Sequence, residues 1–353
     1  MLPRNRWVRV GAVVAALVAA GAAVYFGGPD WSEVGDAFRA VEWQWLAVAI
    51  GLNLLSVVAR TFAWATVIDE AVPPPHPRFL HVFSAFSIGL LANATLPGRV
   101  GELARVAVLT RHMPGLAGAW ATLVGTVFAH RAFDFIPAAI LVVWVLASAE
   151  IPHWAVTSLV ILFSIGAVLL VIAVVSARHH DRGPHLDGAT ARRLLTMARH
   201  GLGVMRRPAA AAAAILFQLI GWLCQLLAVW TAMKAFDIDV GLTAAGLVLV
   251  LMNMAAIIPL WPGNVGLLQV AIAAPLVGYG VAYSQGFAFG LALQIIEASV
   301  GIAFGLAFLG REGLSYAALR RMPAAVEALE EDEGEEEAED AVEEREPERA
   351  LTL

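Results

Sequence analysis

The chain has 353 residues, of which 59% are apolar and only 15% charged, with a mean hydropathy of +0.74. A soluble domain carries about a quarter charged residues, so the composition excludes one and points to a polytopic membrane protein. The net charge of −6 hides an asymmetry: residues 327–353 hold 14 acids against 2 Arg, net −12, and the preceding body holds 15 acids against 21 bases, net +6.

In chain order, Arg4, Arg6 and Arg9 precede an apolar run from about Val10 to Phe26, a first transmembrane helix with a cytoplasmic basic flank. Residues of about 30–44, with Trp31, Val34, Phe38 and Val41 at helical spacing, predict an amphipathic helix on the outer membrane face. A span follows from Leu46 to Ile68, carrying Asn53 and Arg60, then a stiff loop at Pro73–Pro77. Phe79–Thr95 predicts a helix broken at Pro97, with a second piece from Glu102 to Thr110.

Leu116–Ala129 and Ile136–Ala147 read as two further helices split by His130, Arg131 and Asp134. The second is short for a crossing of about 20 residues and is expected to belong to a broken or re-entrant element. Trp154–Ser176 is a clean span, and the Arg-rich connection 178–207 suits an anionic cytoplasmic leaflet. Ala209–Thr231, Leu242–Ile257, Leu267–Val277 and Gln285–Leu309 complete the helices. The basic residues Arg311, Arg320 and Arg321 place the following segment inside, and residues 311–353 form a cytoplasmic, acidic, disordered tail. Cys224 reads as a small buried hydrophobe.

Two stretches organise the rest: Pro97-Gly98-Arg99-Val100-Gly101-Glu102-Leu103 and Pro262-Gly263-Asn264-Val265-Gly266-Leu267-Leu268 share the pattern Pro-Gly-x-Val-Gly-x-Leu. Pro removes a backbone donor and Gly leaves helical order cheaply, so each breaks a membrane helix. Freed backbone groups cannot face lipid. Paired breaks in two halves of a membrane protein point to a transport site. The expected fold is an all-α, polytopic helical bundle with two broken or re-entrant elements related as an inverted repeat, spanning residues 1–310.

Around the first break, Arg99, Glu102 and Arg105 at three-residue spacing form either an ion cluster anchoring the helix or an anion site. The helix opening at Gly101 is expected to offer free N–H groups to phosphate. Arg131 and Asp134 are spaced to neutralise each other, or to join that site. Arg60 reads as snorkelling to the surface, and Gln218 and Gln225 as interhelical glue. Asn264 and Gln269 flank the second break. Glu297, about twelve residues from either end of its span, is too deep to snorkel and reads as a candidate proton carrier, with Gln294 one turn earlier. No phosphate-binding loop, nucleophile elbow or zinc spacing is present, which counts against an enzyme, a metal centre or a cofactor.

At these motifs the chain resembles the flippase-like family that includes the transmembrane region of lysylphosphatidylglycerol synthases. The resemblance rests on Leu96-Pro97-Gly98-Arg99-Val100-Gly101-Glu102 with Arg105, on Arg131 and Asp134, and on Pro259, Pro262, Gly263 and Gly266. Asn264 stands where a second Gly is usual, Gln269 where a Glu is usual, and His130 where an acid is common. The resemblance implies lipid flipping in the cytoplasmic membrane, of an anionic phospholipid or a polyprenyl-phosphate-linked lipid. The soluble aminoacyl-transferring domain of the synthases is replaced here by the acidic tail, so that activity is expected to be absent. The rival readings are an intramembrane glycosyl- or phospho-transferase and a non-transporting scaffold for a partner enzyme. The expected partners are a membrane lipid, and a partner enzyme or second copy, but no nucleic acid.

Overall fold

The computed structural model describes residues 28–96, 100–113, 119–148, 207–256 and 264–317. The expected helix at Val10–Phe26, the span Trp154–Ser176, the Arg-rich connection before Arg207 and the acidic tail lie outside them. Among the described residues there are nine helices and no strand: α1 Trp31–Arg39, α2 Trp43–Ala71, α3 Phe79–Thr95, α4 Gly101–Thr110, α5 Ala119–Ser148, α6 Pro208–Ala235, α7 Leu242–Ala255, α8 Leu267–Val277 and α9 Tyr283–Arg311. α2, α5, α6 and α9 are long and apolar enough to cross a bilayer. The remaining apolar helices, of 17, 14 and 11 residues, are too short for the roughly 20 that a crossing needs.

α1 begins where Asp30 accepts hydrogen bonds from the Ser32 N–H at 2.9 Å and the Ser32 hydroxyl at 2.6 Å. The Ser32 side chain, then its N–H, hold the Asp30 carboxyl below its usual range. A depressed carboxylate stabilises the fold at neutral pH and loses that contribution as pH falls through its folded-state value. The apolar side of α1 turns to protein: Trp31 meets Phe287 edge-on at 5.9 Å and Phe38 meets Phe236 at 5.5 Å.

The chain divides into two compact units. Among the described residues, one holds 28–60, 133–148, 216–256 and 264–299, and the other 61–96, 100–113, 119–132, 207–215 and 300–317. Each contains one helix–break–helix hairpin, α7–α8 in the first and α3–α4 in the second, with the two arms packed on each other. Both hairpins match the sequence expectation.

In the α3–α4 unit, Leu96 ends α3 in an extended conformation, as the residue before a proline must. The first N–H of α4, on Gly101, is taken by Asn93 Oδ1 at 2.9 Å. The arms meet at Gly89 and Gly101: a Cβ on Gly101 would collide with the Gly89 carbonyl and the Asn93 side chain. In the α7–α8 unit, Asn264 takes a positive φ of 46° and its amide donates to the Ala255 carbonyl at the end of α7, at 2.9 Å. Gly266, at φ 93°, opens α8, and its N–H is capped by Gln269 Oε1. Both positions of this turn need residues tolerant of positive φ.

α9 contributes one stretch to each unit. Its first half seats α8 at Gly286 and Gly290, where a Cβ would lie 3.1 Å from Ala273 Cα and 3.2 Å from Gln269 Cα. Its second half seats α3 at Gly301 and Gly305, where a Cβ would lie 2.9 Å from Leu90 Cβ and 2.6 Å from Leu91 Cβ.

One expectation is corrected. His130, Arg131 and Asp134 do not split two helices; α5 runs unbroken for 30 residues with Pro137 inside it. Helical backbone bonds are internal, so polar side chains interrupt nothing once they find partners, as shown below. Pro137 forfeits one backbone bond without ending the helix. Ile136–Ala147 is therefore no re-entrant piece but part of a helix long enough to span.

The α9 glycines give a test. Gly305→Ala should destabilise the protein by about 1–3 kcal/mol through overpacking. Gly310→Ala, whose Cβ would meet nothing within 4 Å, should be neutral or slightly stabilising. Thermal unfolding in detergent checks this, and equal melting temperatures for the two variants would contradict the packing described.

Candidate functional site

The predicted site residues divide between the units. Arg99 lies outside the described residues, as do Pro97, Gly98, Pro262 and Gly263. Glu102, Arg105 and Arg131 come together in the α3–α4 unit. Asp134, Asn264, Gln269 and Glu297 belong to the α7–α8 unit.

In the α3–α4 unit, Glu102 lies in the first turn of α4, where the helix dipole favours an anion. Its carboxylate is shared. Arg105, one turn on, approaches Oε2 at 2.6 Å, and Arg131 of α5 reaches Oε1. Arg105 is only 4% exposed. Burying a guanidinium is costly unless something replaces its water. Here the Trp64 ring lies 4.6 Å from its carbon and the Phe86 ring 5.4 Å, so Arg105 rests against two neighbouring aromatic rings. Trp64 is fixed in turn by donating to Thr126 Oγ1 at 3.0 Å, and buried His130 meets Phe86 edge-on. Two guanidiniums thus hold one carboxylate, and Arg131, at 43% exposure, is the accessible side of the cluster. Of the N–H groups expected free at the start of α4, the first, on Gly101, is taken by Asn93.

In the α7–α8 unit, a polar line crosses three long helices. Arg60 Nη2 of α2 donates to Gln225 Oε1 of α6 at 2.6 Å, and Gln225 Nε2 donates to Glu297 Oε1 of α9 at 2.7 Å. The amide orientation follows from chemistry: a guanidinium only donates and an ionised carboxylate only accepts, so the amide oxygen must face Arg60. Arg60 rests over the Trp222 ring at 5.2 Å, and Trp222 Nε1 donates to Asp134 at 2.6 Å. Gly221 makes the room: a Cβ there would lie 2.9 Å from Arg60 Cγ. Beside this line, Gln269 is fully buried, joining Gly266 at the second break to Gln294 Oε1 at 2.7 Å. Asn53 donates to the Ile296 carbonyl at 2.8 Å, bracing α9 just before Glu297.

Arg60 is thus no snorkelling residue, and Gln225 is more than glue: it links a cation to an acid. Both were legible as polar interruptions of apolar helices, but their partner lies 165 residues away in one case and 72 in the other. Trp64 and Trp222, which carry the arginines, left no distinguishing signal among 11 tryptophans. Among the described residues, no group of three or more His, Cys, Asp or Glu is arranged to hold a metal.

Long apolar helices, two helix–break–helix hairpins and ionisable side chains compensated within apolar surroundings define a multi-pass helical membrane protein. More specifically, the family model of the lysylphosphatidylglycerol synthase TM region matches residues 9–305, and the chain belongs to that family. No curated protein and no solved structure matches it.

The two ion pairs of Glu102 should differ in strength. A double-mutant cycle of Glu102→Gln with Arg131→Gln should give a coupling of about 1 kcal/mol or less, as for exposed pairs. The cycle with Arg105→Gln should give a larger coupling, because breaking a buried pair strands a charge. Couplings of equal size, measured by thermal or denaturant unfolding, would refute this ranking.

Proposed function

We infer that this membrane protein handles lipid, as its family suggests. We propose that it is a lipid translocase of the cytoplasmic membrane, moving an anionic phospholipid or a polyprenyl-phosphate-linked lipid, with both termini on the cytoplasmic side. One observation carries the reading: the helix after the first break begins with a carboxylate held between two guanidiniums, of which Arg131 is 43% exposed. An accessible guanidinium among apolar helices offers an anionic headgroup charge and N–H donors where water is scarce. Arg131 is assigned to the headgroup, together with Arg99 from the motif. Arg105 holds Glu102 in place, since its guanidinium is spent on Glu102 and two aromatic faces. The guanidinium fork suits phosphate oxygens.

Translocation rather than group transfer is our reading, because the carboxylate of the cluster is committed to two guanidiniums. The inverted-repeat relation of the two hairpins belongs to the same proposal.

The test is movement of labelled phosphatidylglycerol between leaflets of proteoliposomes, read by quenching of the outer leaflet. Arg131→Ala and Arg99→Ala should each slow movement about tenfold or more, a loss of about 1.4 kcal/mol of barrier stabilisation. Parent protein that moves lipid no faster than protein-free vesicles, or variants as fast as the parent, would overturn the assignment.

A further inference from the structure

The line Arg60–Gln225–Glu297 has no counterpart in the headgroup cluster, and it rests on different helices. It joins a permanent cation to a titratable acid through one amide that cannot itself ionise. The groups facing Glu297 are few. Gln225 meets it from α6, with Arg60 of α2 behind that amide. Asn53 of α2 binds backbone beside it. On α9 itself, Gln294 one turn earlier is tied to Gln269 of α8. Asp134 of α5 holds the far edge of the Trp222 ring on which Arg60 rests. Among these groups Arg60 is the one cation, so it balances the charge of Glu297.

That balance can be exchanged. A phosphate group arriving at Arg60 can take the guanidinium in a two-pronged contact and displace the Gln225 oxygen, since charged acceptors bind it more strongly than a neutral amide. Two anions then share one cation in a low-dielectric setting, which disfavours the second charge. Glu297 relieves this by taking one proton from water. Its protonated carboxyl keeps a carbonyl oxygen to accept from Gln225. When the phosphate departs, Arg60 returns to Gln225 and the proton leaves Glu297.

We propose that Arg60 binds the phosphate of the transported lipid in exchange for its link to Glu297, and that Glu297 takes up one proton as it does so. Translocation is then a one-to-one symport of a proton and an anionic lipid. The inference rests on the translocase reading but adds its driving force and a second phosphate contact.

The experiment uses full-length protein in vesicles with trace fluorescent phosphatidylglycerol and a pH difference of one unit across the membrane. At steady state the probe should favour the leaflet on the alkaline side by about tenfold, the bias of one proton per lipid. Rapid movement with an even distribution overturns the symport and leaves the translocase standing. No movement beyond protein-free vesicles overturns both. In Glu297→Gln the probe should distribute evenly however long equilibration takes, and a distribution that follows the pH difference overturns the role of Glu297. If that variant is not monodisperse after purification, Gln225→Leu, which cuts the link, carries the same expectation. Uptake of labelled inorganic phosphate driven by the pH difference, without lipid redistribution, assigns Arg60 to free phosphate and overturns the proposal.

Discussion

A helix that stops among apolar neighbours leaves peptide N–H and carbonyl groups with no water to turn to, and this protein stops two helices in that way. The remedy is the same kind of side chain each time. Asn93 accepts from the first N–H of α4, and Asn264 donates to the last carbonyl of α7. One asparagine serves as acceptor and the other as donor, which the amide permits because it carries both functions. Once the breaks are satisfied, glycine can bring the two arms of the first hairpin close enough for Gly89 and Gly101 to touch.

Within each unit, a stretch of α9 packs on the broken hairpin. In membranes, helix association depends on close packing more than on the hydrophobic effect, so small residues mark the contacts that matter. The pair Gly286 and Gly290 admits α8, and Gly301 and Gly305 admit α3. The same helix carries Gln294 and Glu297 between those pairs.

One arginine in each unit follows the same rule: an acceptor and an aromatic ring replace its water. Arg105 has Glu102 and two aromatic faces, and Arg60 has Gln225 and the Trp222 ring. Each arrangement desolvates the guanidinium partly by an aromatic ring, which is cheaper than burying a second formal charge. The difference lies in the acid. Glu102 contacts its cations directly, whereas Glu297 meets its cation through an amide, a looser link that an incoming anion can displace.

The sequence by itself determined the all-helical membrane class, the two broken hairpins and nearly all their boundaries. These follow from local chemistry: apolar run length, proline, glycine and the extended residue before proline. It also singled out Glu102, Arg105, Arg131, Gln269 and Glu297, because a polar residue in an apolar run stands out wherever it points. Only the tertiary structure decided who meets whom. It joined Arg131 to Glu102 across 29 residues and Arg60 to Glu297 through Gln225, and it fused two expected helices into α5. Spacing along one helix shows which residues share a face, but a partner on another helix is fixed by packing, which no local pattern encodes.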